Sequence, residues 1–409
     1  MNRYIIPYLL FLSGIFLMGC AGAKTDSYTV PSEFEEQEYI WLTWVESGFL
    51  GGEPFKVTAI NAMKEITPYV KVRLFYGPQM GYDSAQLKSR IYESLIANNI
   101  DTSRVSLFYN DMYYGAIQDP GPVFLRNAEG RFAIADFKFL HPDKRSESID
   151  RNVAAHFNLP VISSTLISEG GAWQTNGRGT MLLVESVELD RNKSMTKYQI
   201  EEEYKRVLGV TKFIWLKKGP KEEEWGKLEN GKYGIGTGGH IDEFCRFVND
   251  STVLLAEVNP ADTIGNEISK ETDRRMEENH KILLQSTDQD GKPLDIIRLP
   301  AGPLMSEKVA YKNLSKDEQS WFDQVTTDSV EFYIATGYMN FIIANQVVVA
   351  GKFWKEGLSG EFQERDKQAK SILEKAFPGR KIVQIDCMPL HHDGGGLHCH
   401  SRNQPKGKL

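Results

Sequence analysis

The sequence contains little cysteine and almost no long apolar segment. Four of its 409 residues are cysteine, and only Cys245, Cys387 and Cys399 lie beyond the first twenty residues. Three thiols are too few for a disulfide-stapled scaffold, and their odd number leaves at least one unpaired. After residue 20, no segment reaches the about 18 consecutive apolar residues that a membrane-spanning helix needs. A disulfide framework and a multi-span membrane protein are therefore both excluded.

The sequence also lacks a basic excess and any Pro/Gly/Ser-rich linker. Its formal net charge is −7, which argues against nucleic acid as a partner and is compatible with a cationic substrate. Because no low-complexity segment divides the chain, we predict a single folded domain over residues 30–409.

The first residues are typical of an exported lipoprotein. Arg3 precedes the apolar run Tyr4–Met18, which ends next to Cys20. This pattern resembles the bacterial lipobox, in which the cysteine is acylated and becomes the first residue. We therefore predict a lipoprotein signal peptide at residues 1–19 and a lipidated tether at residues 20–29. A short apolar N-terminal helix of a cytosolic protein is the alternative interpretation.

The residue after Cys20 bears on the location. Ala21 stands where an aspartate would act as a retention signal, and this indicates the outer membrane if the cell has one. Anchoring by several acyl chains is close to permanent, since each buried methylene contributes roughly 0.8 kcal/mol. We expect an exported protein held at the periplasmic face or cell surface by lipid.

Short β-branched runs alternate with helical segments along the rest of the chain, which predicts a mixed α/β fold with a recurring strand–strand–helix–strand unit. We expect strands at Thr180–Leu189, Val210–Leu216, Thr252–Val258, Phe341–Val349 and Lys381–Ile385. We expect helices at Met195–Leu208, with Ser194 as N-cap and Gly209 as stop, at Glu364–Phe377, and over most of residues 261–328.

The most informative motif is the run of three glycines, Gly394–Gly396, closely followed by Cys399. Glycines allow the backbone to approach a ligand closely, so this cysteine would lie at the edge of a pocket. A thiol needs cationic or hydrogen-bonding neighbours to become a nucleophilic thiolate. His398 and His400 flank Cys399, but sequence neighbours often point apart, and neither is the obvious base.

Further candidate groups lie beside glycine or proline. His240 and Asp242 follow Gly238-Gly239 and would point to the same side of a strand. Glu169 precedes a glycine pair, and Asp119 lies in a Pro-Gly-Pro turn. With Cys399, they form an inventory suited to nucleophilic catalysis. In the alternative interpretation Asp119 is an ordinary turn residue and Glu169 is solvated.

Other cysteines and tryptophans have ordinary explanations. Cys245 and Cys387 adjoin apolar residues and are predicted to be core thiols, and Trp41 and Trp44 are predicted to be core residues. A zinc site remains a competing hypothesis, because nitrogen, oxygen and sulfur ligands are dense near the C-terminus. Its candidate ligands are His391, His392, Asp393, His398, Cys399 and His400.

Taken in order, these segments resemble the family of agmatine deiminases and bacterial, Porphyromonas-type peptidylarginine deiminases. The resemblance covers about Pro31 to Pro405. Its motifs are Pro31–Glu35 with Trp41 and Trp44, Asp119–Pro122, Glu169–Gly171, Gly239–Asp242, Tyr338–Asn340, and the glycines with His398 and Cys399.

The resemblance implies a pentein fold, a five-bladed α/β propeller of ββαβ-type units around a central pocket. It implies no metal and no organic cofactor. It implies Cys399 as nucleophile, His240 as general acid and base, and Glu169 as the support of His240. Asp119 and Asp242 would clamp a guanidinium. It also implies, more weakly, that Asn340 is a pocket residue.

The expected activity is that of a guanidine iminohydrolase acting on agmatine or on a peptide with C-terminal arginine, with a covalent thiouronium intermediate and release of ammonia. The sequence departs from the family at Gln118, where arginine is usual, and at Ala116, where tryptophan is usual. Lys144 and Arg145 lie near, but offset from, an arginine pair of the peptidylarginine enzymes. These departures keep a second hypothesis open, a surface lipoprotein that binds guanidines or peptides without turnover.

Overall fold

Short apolar runs become strands that are buried on both faces. All five residues of the strand Thr180–Val184 are buried, and the same holds for five of the six residues of Val347–Lys352. Continuous burial of this kind is typical of strands that pair in parallel and are covered by helices. The computed structural model describes residues 27–49, 52–111, 115–140, 147–322, 325 and 327–409.

The strands of the described chain are short and are numbered in chain order. They are β1 (Tyr28–Thr29), β2 (Gln37–Thr43), β3 (Lys71–Tyr76), β4 (Val105–Tyr109), β5 (Val123–Asn127), β6 (Phe132–Lys138), β7 (Val161–Ile167), β8 (Trp173–Thr175), β9 (Thr180–Val184), β10 (Lys212–Leu216), β11 (Trp225–Lys227), β12 (Tyr233–Ile235), β13 (Cys245–Phe247), β14 (Thr252–Glu257), β15 (Asp295–Pro300), β16 (Met305–Ala310), β17 (Ser329–Ile334), β18 (Ile342–Ile343), β19 (Val347–Lys352), β20 (Lys381–Asp386) and β21 (Ser401–Pro405).

The α-helices of the described chain mostly connect parallel strands. They are α1 (Phe55–Ile66), α2 (Ser84–Ala97), α3 (Ile149–Phe157), α4 (Glu185–Arg191), α5 (Lys197–Leu208), α6 (Glu267–Leu284), α7 (Lys316–Gln319), α8 (Gly360–Ala376) and α9 (Met388–His391).

One ββαβ pattern recurs in five sheets. In each, an antiparallel pair is followed by a helix and a third strand that pairs in parallel with the second. The five units are β5-β6-α3-β7, β8-β9-α5-β10, β13-β14-α6-β15, β18-β19-α8-β20 and β21-β2-α1-β3. The expected five-bladed α/β propeller, the pentein fold, is confirmed.

The fifth blade closes the propeller with strands from both chain ends. The C-terminal strand β21 pairs antiparallel with β2, with Trp41 opposite Arg402. This pairing joins the two ends of the described chain in one sheet, β21-β2-β3-β4. A further sheet, β11-β12-β17-β16, is added to the five blades.

Several element boundaries differ from the sequence prediction. The strand that begins at Thr180 ends at Val184, where helix α4 starts with two acids in its first turn, which suits the positive end of a helix dipole. The next helix is capped by Thr196 rather than Ser194. Thr196 and Gln199 form a reciprocal capping box, and Gly209 ends the helix with φ +68°, as predicted.

The segment 261–328 was predicted to be mainly helical, and this is only partly correct. Helix α6 is followed by β15 and β16, because β15 pairs with the buried strand β14 over six residues. The predicted strand Phe341–Val349 is divided into β18 and β19, which form an antiparallel pair. Tertiary pairing outweighs the helical character of these charged residues.

The core predictions for individual residues are confirmed. Trp41, Trp44, Cys245 and Cys387 have no exposed surface, and Cys245, Cys387 and Cys399 are all free thiols. The predicted signal peptide and Cys20 lie outside the described residues. Among the helices that the structure describes, none has the length and apolar character required to span a bilayer.

Trp41 gives a test of the packing within the closing blade. Its ring lies 5.2 Å from the Phe108 ring and its indole nitrogen donates to Gln404 at 3.0 Å. Trp41→Ala should lower the free energy of unfolding by about 3–5 kcal/mol, since it leaves a large cavity. Denaturant unfolding measures this. Trp225→Ala, at a ring that is 56% exposed, is the control, and an equal loss there would contradict the interpretation.

Candidate active site

The candidate site is built from the segment that precedes the first strand of every blade. These segments are residues 118–122 before β5, 169–172 before β8, 238–244 before β13, 338–341 before β18 and 394–400 before β21. Each predicted site residue lies in one of them. The five-fold repetition of the ββαβ unit therefore brings parts of the sequence that are far apart to the centre of the propeller.

Hydrogen bonds join the five segments into a closed ring. Four of the links are between backbone groups, and one uses the side chains of Asn340 and Glu243. In order around the ring they are Gln118 N to Cys399 O (2.9 Å), Gly170 N to Asp119 O (3.4 Å), Asp242 N to Gly171 O (3.3 Å), Asn340 Nδ2 to Glu243 Oε1 (2.6 Å) and His398 N to Asn340 O (3.3 Å). The ring therefore holds the catalytic candidates close to one another.

Gly171 marks the point where three of the predicted groups converge. A Cβ at this position would lie 2.8 Å from His240 Nδ1, 3.0 Å from Asp119 Oδ1 and 3.1 Å from Asp242 Oδ2. A side chain would fill the space between the imidazole and the two carboxylates. Glycine is required here because these polar groups approach the backbone from three sides.

His240 lies between two carboxylates. Its Nε2 is 2.9 Å from Glu169 Oε2, and its Nδ1 is 3.7 Å from Asp119 Oδ1. Burial alone would lower the pKa of His240, but Asp119, Glu169 and Asp242 outweigh it and raise the pKa to about 9. The imidazole is therefore protonated at neutral pH and can donate a proton.

Glu169 is buried rather than solvated. Arg191 Nε contacts both of its carboxylate oxygens, at 3.0 and 3.1 Å. Burial would raise the pKa of Glu169, but the hydrogen bonds and charges of His240 and Arg191 lower it overall. Glu169 is therefore an ionised support that fixes the orientation and charge of His240.

Asp119 faces the same pocket from the Pro-Gly-Pro turn. The Gly171 N–H donates to its Oδ1 at 3.1 Å. Burial is the largest influence on Asp119 and raises its pKa to about 6, although His240 lowers it. The Asp119 carboxyl is thus fixed beside His240.

Cys399 is buried beside acids. Its sulfur lies 3.2 Å from Asn340 Nδ2 and 3.6 Å from oxygens of both Asp242 and Glu243. Burial, Asp242, Glu243 and Asp119 raise the pKa of the thiol well above its ordinary value. The thiol is neutral in the free protein, and a cation bound nearby would favour its ionisation.

Neither histidine beside Cys399 is directed at the sulfur. His398 Nδ1 contacts Asp242 Oδ2 at 2.7 Å and its Nε2 contacts Glu33 Oε1 at 2.9 Å. His400 Nδ1 contacts the Gly396 carbonyl at 2.9 Å. Sequence neighbours do point apart, as expected, and His398 serves to position Asp242.

The structure adds residues that the sequence argument did not assign to the site. Glu243, Glu33, Arg191 and Glu223 are linked to it by hydrogen bonds or charge. Glu243 directly follows Asp242, and Glu33 lies in the Pro31–Glu35 motif, so both had a signal in the sequence. Arg191 and Glu223 come from distant segments with no motif of their own.

The zinc hypothesis fails because its candidate ligands contact different partners. His391 Nε2 contacts Cys387 at 3.1 Å, and His392 contacts Glu307 at 2.9 Å. In the described part of the chain, donor atoms of Asp242, Glu243 and Cys399 lie within 4.8 Å of one another. These two carboxylates are also the hydrogen-bonding neighbours of the thiol.

The departures from the family pattern have local explanations. Gln118 is buried, and its amide nitrogen donates to the Gly170 carbonyl at 3.3 Å, so it reinforces the junction of two segments. The buried Arg402 supports the turn at residues 118–122, because it donates to the carbonyls of Gln118 and Pro122 at 3.2 and 3.0 Å. Ala116 is half-buried. Lys144 and Arg145 lie outside the described residues.

Comparison with known proteins agrees with this geometry. The sequence profile of the Porphyromonas-type peptidyl-arginine deiminases matches residues 29–405. Agmatine deiminase of Pseudomonas aeruginosa is 25% identical over 399 residues, covering 93% of this chain and 96% of the relative. The solved agmatine deiminase of Enterococcus faecalis shares the fold with TM-score 0.71 at 21% identity, covering 93% of this chain and 96% of that one.

The protonation of His240 can be tested by replacing its neighbour Glu169. Glu169→Gln removes one negative charge next to the imidazole, so the pKa of His240 should fall by about 1–3 pH units. The proton would then be lost at lower pH than in the wild type. Histidine NMR signals followed through a pH titration measure this shift.

Glu188→Gln is the matched control for that titration. Glu188 is also buried, but its carboxylate accepts from the Tyr204 hydroxyl and makes no hydrogen bond to His240, so its replacement should shift the pKa of His240 less than Glu169→Gln does. Equal effects of the two substitutions would contradict the proposed pairing of His240 with Glu169.

Proposed function

Because the chain belongs to the family of Porphyromonas-type peptidyl-arginine deiminases, we propose that it is a guanidine iminohydrolase with Cys399 as its nucleophile. The chain is a hydrolase of carbon–nitrogen bonds. The observation that supports the finer assignment is the convergence of His240, Asp119 and Asp242 around Gly171, with the Cys399 sulfur 3.6 Å from Asp242.

The pocket suits a planar cation with several N–H donors. Asp119 and Asp242 present carboxylate oxygens toward the same point, and paired carboxylates are natural receptors for a guanidinium. One oxygen of Asp242 has no hydrogen-bond partner among the described residues. A bound guanidinium would supply that partner, offset the buried negative charge and favour ionisation of the nearby thiol.

The reaction then follows from the positions of the groups. The Cys399 thiolate attacks the guanidinium carbon, and the C=N electron pair moves to nitrogen. His240, which carries a proton at neutral pH, protonates the leaving nitrogen, and ammonia departs from the tetrahedral adduct. The covalent product is a thiouronium. Water that gives its proton to His240 attacks this carbon, and cleavage of the C–S bond releases a ureido product.

We assign a small guanidine such as agmatine as the substrate. The support is the surplus of buried acid around the thiol, which favours a ligand with cationic groups and disfavours a carboxylate. The curated relative from Pseudomonas aeruginosa is also an agmatine deiminase. A peptide with C-terminal arginine is the second candidate, on the strength of the family profile. The non-catalytic hypothesis has no support, because the complete set of reactive groups is assembled.

Turnover of guanidines and its dependence on Cys399 test the proposal. We expect ammonia and a ureido product from agmatine, and less or none from free arginine or C-terminal-arginine peptides. Cys399→Ser should lower turnover by roughly 10³-fold or more, while Cys245→Ala, at a buried thiol in the core, should retain it. Folded protein that forms no ureido product from any guanidine would refute the function.

We propose, from the sequence around Cys20, that the protein is exported and lipid-anchored. Metabolic labelling with an alkyne fatty acid should modify the wild-type chain and the Cys245→Ser control, while the Cys20→Ser variant should stay unlabelled. Labelling of the Cys20→Ser variant would refute the anchor.

A further inference from the structure

The thiol of Cys399 must lose a proton before it can attack, and its surroundings restrict where that proton can go. In the described structure its hydrogen-bonding neighbours are Asn340 Nδ2, Asp242 Oδ2 and Glu243 Oε1. The amide nitrogen of Asn340 only donates. His240 already carries a proton at neutral pH and is not among the hydrogen-bonding neighbours of the sulfur. The acceptor is therefore one of the two carboxylates.

The two carboxylates differ in what already binds them. Asp242 Oδ2, the oxygen nearest the sulfur, is also 2.7 Å from His398 Nδ1. The same oxygen also faces the guanidinium position beside Gly171, and the Oδ1 of Asp242 has no hydrogen-bond partner among the described residues. Glu243 Oε1 accepts a hydrogen bond from Asn340 at 2.6 Å, while its Oε2 has no hydrogen-bond partner, although only 4% of the residue is exposed. Glu243 is thus the acid beside the sulfur that is committed neither to His398 nor to the guanidinium position.

We propose that Glu243 is a further catalytic residue, which accepts the proton of the Cys399 thiol. This inference rests on the proposed function. The S–H bond breaks, its proton passes to the Glu243 carboxylate, and its electron pair stays on sulfur and forms the bond to the guanidinium carbon. When the C–S bond later breaks, the electron pair returns to sulfur and the thiol is restored by protonation.

Asn340 holds the two partners together. Its Nδ2 contacts both Glu243 Oε1 and the sulfur, and its Oδ1 accepts from the backbone N–H groups of His398 and Cys399, at 2.6 and 3.3 Å. A Cβ at Gly337 would lie 2.9 Å from Glu243 Oε2, so glycine leaves room for the carboxylate. Asn340 therefore holds one oxygen of Glu243, and the absence of a side chain at Gly337 leaves space for the other.

The charges that face Glu243 are Glu223 and Asp242, with the same sign, and Arg246, with the opposite sign. Burial, Glu223 and Asp242 raise the pKa of Glu243 well above its ordinary range, which brings its proton affinity closer to that of a thiol. A guanidinium cation lowers the pKa of both groups. When it binds, the proton that Glu243 holds in the free protein would pass to solvent, and the ionised carboxylate would then accept the thiol proton.

Alkylation of Cys399 by a haloacetamidine, a cationic electrophile similar in shape to guanidinium, isolates the proton-transfer step from turnover. With Glu243→Gln the second-order alkylation rate near pH 7 should fall by roughly 10²-fold or more. It should recover at high pH, where the thiol ionises unaided. If Glu243 acted only as a negative charge, its removal would ease ionisation of Cys399. An unchanged or faster rate would therefore overturn the proposal.

Two further variants complete the experiment. Glu188→Gln removes a buried acid that accepts from Tyr204 and does not contact the sulfur, and the rate should stay equal. Glu243→Asp should restore part of the rate. A slow Glu243→Gln variant that does not recover at high pH would indicate misfolding and would also overturn the proposal. If the wild-type protein forms no ureido product from any guanidine, the proposed function itself is refuted. Normal turnover in the Glu243→Gln variant refutes only the role of Glu243.

Discussion

The closed ring of hydrogen bonds among five loop segments is the constraint on which the site depends. Each segment leads into the first strand of one blade, and each is bonded to the segments on either side. Four of the five links use backbone groups, so the ring tolerates a change of side chain better than a change of backbone path. This explains how the site keeps its geometry while residues such as Gln118 and Ala116 depart from the family pattern.

The ring concentrates more negative charge than its own cations neutralise. Glu169 is satisfied by His240 and Arg191, and Glu33 is paired with His398 and Arg246. Glu243 and Glu223, in contrast, are buried with one oxygen unbonded among the described residues. Burial and neighbouring acids raise the pKa of Glu243 and Glu223, so both carboxyls hold protons in the free protein. A cationic ligand would favour their ionised forms and that of the thiol, so substrate binding and activation of the thiol are coupled.

The same coupling explains why the histidine and the thiol need no direct contact. His240 keeps its proton because of the acids around it, whereas the acids and burial keep Cys399 neutral. The two groups to which we assign proton donation and nucleophilic attack are thus tuned by one set of carboxylates. A guanidinium bound between His240 and Cys399 would change the pKa of both groups.

The sequence by itself determined the α/β class, the order of the motifs and the identities of Cys399, His240, Asp242, Glu169 and Asp119. Periodicity, capping residues and glycine turns act over a few residues, and the motif order can be recognised without coordinates. It also predicted the buried thiols and tryptophans. Helix starts and the course of residues 261–328 were predicted less well, because strand pairing overrode local preference.

Only the tertiary structure decided which groups share the pocket. Glu243 and Cys399 are 156 residues apart, and His398 and Glu33 are 365 residues apart. Such contacts depend on closure of the propeller between β2 and β21, and no local pattern encodes them. The partners of Asn340, the burial of Glu169 and the free oxygen of Glu243 follow from packing around one centre, since charge and desolvation depend on distance in space and not on position in the chain.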